Sequence, residues 1–204
     1  MRDSGLLGLR LTLGGYLTAH GAQKLFGALD GPGIDNVATH FHSIGLRPGR
    51  AMAALAGGSE FVGGLLTATG LASPVGPVAL AGAMVVASTV HGDKGPMALK
   101  GGYELALTNV AAALALAATG PGRYSLDALR GRPVPKRLVA LTVLGGAGLT
   151  AYCAAAVVRT RRDRNQAPLP AGSANGSGPA AAPPAPDAAV STPSDPLDTT
   201  VTAS

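Results

Sequence analysis

Residues 51–72 read AMAALAGGSEFVGGLLTATGLA, an apolar run with a single carboxylate, Glu60, near its middle. At about 1.5 Å of rise per residue, a helix of this length crosses the ~30 Å hydrocarbon core of a bilayer. An ionised side chain at that depth costs roughly 2.5–3.5 kcal/mol on insertion scales, so such residues face a bundle interior and find a partner. Gly57, Gly58, Gly63 and Gly64 flank the carboxylate, and small residues let a neighbouring helix come close. The segment therefore predicts a membrane helix whose acidic group points inward.

Four further apolar runs surround it. The first, residues 5–29, is interrupted by Arg10, His20 and Lys24. Arg10 lies near its N-terminal end and is expected to snorkel to the interface. Asp3 and Arg10 do not suit the charge and apolar regions of a cleaved signal peptide. The third run, residues 75–90, has no charge and ends at His91-Gly92-Asp93. The fourth opens with Gly101-Gly102-Tyr103-Glu104 and reaches Thr119, with Asn109 one to two turns inside. The third and fourth are slightly short for a full span. The fifth, residues 138–158, is uncharged and is the plainest transmembrane segment of the chain. Its Gly145, Gly146 and Gly148 are expected at packing positions rather than in a phosphate loop.

The connections carry their own signals. Gly31-Pro32-Gly33 breaks the first helix, and residues 34–44 predict a short interfacial helix bearing His40 and His42. Ser73-Pro74 marks a tight turn, and Gly120-Pro121-Gly122 stops the fourth helix. Ser125 and Asp127 are placed to cap a short helix after it. From residue 165 onward Ala, Pro, Ser, Thr and Gly dominate, a composition that predicts a disordered tail.

Composition agrees with a membrane location. Only 13% of the 204 residues are charged, against about 25% in soluble domains. Aromatics are 3% and Trp is absent, so a soluble core would lack its large fillers. The net charge of +5 sits in short clusters beside apolar runs, such as Arg159, Arg161, Arg162 and Arg164. Such flanks anchor helices at anionic lipid, and no nucleic-acid motif accompanies them. The basic residues on the two sides nearly balance and do not set an orientation. The single cysteine, Cys153, excludes an intrachain disulfide and reads as a small buried hydrophobe.

Alternating helix directions bring the polar residues of these runs into one half of the bilayer. His20, Lys24, Glu60, His91, Glu104 and Asn109 are accordingly predicted to line a polar cavity among the first four helices. It would open toward the side of the first and third loops. His20 and Lys24 are spaced i, i+4 and share a face. Pairing either with Glu60 or Glu104 would offset the cost of burial. No metal site is predicted, because the ligand spacing for zinc is missing, and a bis-histidine haem would require His20 to face His91.

With these residues in place the chain resembles the DoxX family of small bacterial membrane proteins. The resemblance rests on Leu9-Arg10-Leu11, His20-Gly21, Lys24-Leu25-Phe26, Leu55-Ala56-Gly57 with Glu60 and Gly63-Gly64, the His91 turn, Gly101-Gly102-Tyr103-Glu104, and the segment from Gly120 to Asp127. It covers roughly residues 6–130. It implies a four-helix transmembrane bundle, to which this chain adds a fifth transmembrane helix. The expected organisation is a bundle over residues 1–130, an additional helix over 131–164 and a tail over 165–204, in a multi-pass protein of the cell membrane.

The resemblance also implies a functional class, since founding members are linked to thiosulfate:quinone oxidoreductase and other members to complexes handling oxidative or thiol stress. The expectation is a membrane subunit of a redox-linked complex, with the lipid bilayer and other membrane or soluble redox proteins as partners. No cofactor motif is evident, and a quinone is the molecule such a cavity would take. A non-enzymatic docking protein and a small proton-coupled transporter are the alternatives. The residues alone do not decide whether the chain catalyses a reaction by itself.

Overall fold

The computed structural model describes residues 1–131 and 134–166. Nearly all of the predicted tail lies outside the described residues. Among them are seven α-helices and no strand: α1 (Arg2–Phe26), α2 (Gly33–Ser43), α3 (Gly49–Thr69), α4 (Val75–Val90), α5 (Glu104–Thr119), α6 (Leu126–Arg130) and α7 (Lys136–Gln166). The five apolar runs become α1, α3, α4, α5 and α7, and the interfacial segment becomes α2. Two helices, α3 and α7, are long and apolar enough to cross a membrane, while α4 and α5 are shorter apolar helices.

The most extensive helix pair is α1 with α3, and it is built on glycine. A Cβ on Gly21 would stand 2.7 Å from the carbonyl oxygen of Gly57, and one on Gly64 would stand 2.7 Å from that of Gly14. The two backbones therefore touch at two levels one heptad apart, antiparallel. Gly58, by contrast, faces open space. Between α1, α4 and α5 lies an apolar core of Leu13, Leu17, Leu80, Met84, Ala113 and Leu116.

The fifth long helix is part of this same compact unit. It packs along α4, and the two run parallel: Gly82 lies against Thr150, and about two turns further along α4 Arg161 donates to the carbonyls of Thr89 and Val90 at 3.0 and 3.3 Å. Arg161 is also 3.5 Å from Asp93. The arginine cluster thus continues the helix, and Arg161 turns inward instead of facing lipid headgroups. Cys153 and Val157 of α7 pack with Ile44 and Leu46 in a second core.

Arg10 does not snorkel. It is only 3% exposed, and its guanidinium donates to the carbonyls of Pro121 and, at 2.7 Å, Tyr124. Gly70, at φ +64, leaves room for it, since a Cβ there would press on the guanidinium and on Ser125. Ser125 does cap α6, accepting from the Ala128 amide. Asp127 has a different role from the one expected. Its carboxylate accepts from the amides of Ala72 and Ser73 at 2.9 and 2.8 Å and ties α6 to the α3–α4 turn. Together these bonds fasten the segment after α5 to α1 and α3.

Candidate functional site

Glu60 is 2% exposed on α3 and accepts through Oε1 from the ammonium of Lys24 on α1. Local sequence explains the meeting. Lys24 lies a few residues beyond the close approach at Gly21, and the missing side chain of Gly57 leaves space for the Lys24 Cβ and for Leu25. The Lys24 side chain is 28% exposed, whereas the Glu60 Oε2 atom is buried with no hydrogen-bond partner. A carboxylate with one satisfied and one orphaned oxygen is uncommon in a protein interior and calls for an explanation.

Both residues line a cavity of about 590 Å³. Its wall is mostly apolar, with Val37, Phe41, Val78, Val86 and Leu149 among the lining residues, and its polar groups include Lys24, Ser59, Glu60 and His91. This corrects the predicted architecture. No residue of α5 reaches the cavity, while α2 and α7 both line it. The enclosure is formed by α1, α2, α3, α4 and α7, and α7 is a wall of the site rather than an appendage to a finished bundle. Gly145 and Gly146 are not packing positions, since they line the cavity and a Cβ on either would meet nothing within 4 Å.

The six predicted residues separate into three groups. Lys24, Glu60 and His91 share the cavity, and His91 keeps a buried Nδ1 without a partner. Asn109 is buried elsewhere, accepting from the Tyr16 hydroxyl and placing its amide 3.7 Å from the Met84 sulfur. His20 is exposed and stands edge-on to Tyr16, with ring centroids 5.9 Å apart. Glu104 is exposed at the start of α5 and accepts from the Ala98 amide at 2.8 Å. Neither His20, Glu104 nor Asn109 lines the cavity. The missed partner is Tyr16, whose position four residues before His20 on one helix face was the available signal. Among the described residues no group of three His, Cys, Asp or Glu side chains is placed to hold a metal ion.

Apolar helices, two of them long enough to cross a membrane, glycine-mediated backbone contact and a buried ion pair beside a cavity define an all-helical protein among the described residues. The DoxX family model matches residues 5–92, and over that span the chain is similar to this family. The matched span runs from α1 to the end of α4 and contains Lys24, Glu60 and His91. No curated protein and no solved structure matches the chain.

Proposed function

We propose that the chain is a multi-pass protein of the cell membrane, crossing it five times with α1, α3, α4, α5 and α7, and that it is the membrane subunit of a redox-linked complex with a quinone site in the cavity. Helix directions support the five crossings. The α1–α3 pair is antiparallel at the Gly14–Gly64 and Gly21–Gly57 contacts, α1 and α5 are antiparallel through Arg2–Thr119 and Tyr16–Asn109, and α4 and α7 are parallel. That is the pattern of five alternating spans.

The observation that carries the quinone reading is the Lys24–Glu60 pair in the wall of an otherwise apolar cavity. A cavity of this size falls in the ordinary range for small-molecule sites, which are apolar with a few placed polar groups. A quinone would bring two-electron chemistry with it, and the partner redox protein would supply or take the electrons. The chain's own part is to bind and orient. Lys24 would donate to a ring oxygen, and the Glu60 carboxylate would accept at Oε2 the proton released when the reduced carrier gives up its electrons. His20, outside the cavity lining, has no such part.

Absorption spectra of the purified full chain, followed by organic extraction, test this directly. About one quinone per chain is expected, with most of it lost in Glu60→Gln. Extracts free of quinone from cells rich in it would overturn the reading.

A further inference from the structure

We infer that the cavity takes a lipid-tailed molecule whose head is a hydroxyl group, admitted sideways from the bilayer between α3 and α7, with the hydroxyl seated between Lys24 and the free oxygen of Glu60. This deepens the proposed function and rests on its reading of the cavity as a ligand site. It specifies a head chemistry and a path that the quinone assignment alone does not contain.

The head chemistry follows from the orphaned atom. Glu60 Oε2 is buried and has no donor, and Glu60 is one of the residues that line the cavity. A carboxylate can only accept, so the missing partner must donate. The Lys24 ammonium spends one N–H on Oε1 and has two more, which can only donate. A group that satisfies both neighbours must donate and accept at one atom, and a hydroxyl does so. A quinone carbonyl accepts from Lys24 and leaves Oε2 unpaired. The site therefore favours the reduced, hydroxyl-bearing form of a redox carrier, or an alcohol-headed lipid, over a carbonyl-headed one.

The path follows from the walls. α7 packs on α4 and makes no comparable contact with α3, yet residues of both line the cavity. Leu55 of α3 and Leu141 and Leu149 of α7 line it while remaining exposed, so the space between these helices is open along an apolar flank. One end is shut where Met52, Leu46 and Cys153 pack together. An apolar tail leaving through this opening would lie in hydrocarbon, at no cost in exposed apolar surface.

The test measures equilibrium binding to the full-length protein in detergent, under anaerobic conditions, with decylubiquinol, decylubiquinone and monoolein as probes. The quinol is expected to bind roughly tenfold more tightly than the quinone, the effect of leaving one buried acceptor unpaired. Gly146→Phe puts a ring into open space at the cavity wall. It should abolish binding of all three probes while leaving the melting temperature near wild type. Glu60→Gln should remove the preference for quinol over quinone, and because it strands Lys24, the Gly146→Phe result stands as the independent check. Quinone bound as tightly as quinol by the wild type would overturn the head assignment and leave the quinone reading standing. Unchanged binding in Gly146→Phe would overturn the path. Monoolein bound in the absence of either redox form would support the hydroxyl site and overturn the quinone reading, and no binding by any probe would overturn both.

Discussion

The Lys24 ammonium on α1 and the Glu60 carboxylate on α3 form an ion pair whose two ends stand in different surroundings. Glu60 is enclosed, and Lys24 retains partial exposure. The pair should therefore respond unequally to losing either member. Lys24→Met leaves a buried carboxylate without its counter-charge and should cost about 3 kcal/mol, as for other broken buried pairs. Glu60→Leu should cost less, because the freed ammonium can extend toward solvent on its flexible stem. The double variant should recover part of the Lys24→Met loss. Thermal unfolding in detergent measures all three, and strictly additive effects would argue against direct pairing.

The α1–α3 contact makes a second prediction. Gly21→Ala and Gly64→Ala each place a methyl group against backbone of the opposite helix and should destabilise by about 1–3 kcal/mol, the range for overpacking. Gly15→Ala, on the same helix, meets nothing within 4 Å and should be neutral. Equal melting temperatures for Gly15→Ala and Gly21→Ala would contradict the close approach. The Gly21 variant should also weaken the Lys24–Glu60 pair, since that pair depends on the same helix separation.

A third expectation concerns the clasp formed by Arg10 and Asp127. Asp127→Ala leaves the amides of Ala72 and Ser73 without their acceptor. The loss should be about 1 kcal/mol, because water at a turn can replace part of it. Hydrogen exchange read at Ala72 and Ser73 should speed up while the interior of α3 is unaffected. Arg10→Met should loosen the chain around Pro121 and Tyr124 in the same assay. Unchanged exchange at these sites would show that the clasp contributes nothing.

Topology offers the fourth. Reporter fusions after Gly31, Ser73, Gly95, Gly131 and Asp163 should alternate in side, as the parallel run of α4 and α7 requires of five spans. Two successive fusions reporting the same side would break the five-span arrangement.

Much of the fold was legible because helix formation and apolar length are local properties. The uncharged run over residues 75–90 becomes α4 with the same ends. Pro32, Ser73-Pro74 and Gly120 sit at helix limits because backbone geometry there is decided within a few residues. Glu60 could be singled out as needing a partner because its cost depends only on depth and charge. His20 and Glu104 looked equivalent to Lys24 and His91 on the same grounds, and they were not, because hydropathy and spacing do not report which way a helix is rotated.

The partner of Glu60, the walls of the cavity and the place of Arg10 were settled by tertiary structure alone. Each depends on contacts between residues far apart in sequence. The glycines at 14, 21, 57 and 64 set how closely α1 and α3 approach, and that separation selects Lys24. Packing of α7 on α4 turns an uncharged helix into part of the site. Arg10 is buried because carbonyl groups more than a hundred residues away accept its hydrogen bonds. Sequence by itself determined the helices, their apolar character and the presence of an inward carboxylate, since those follow from residue type and local spacing. Which side chains meet was decided only when the helices packed, because side-chain chemistry limits the partners a buried charge will accept but not which of them comes within reach.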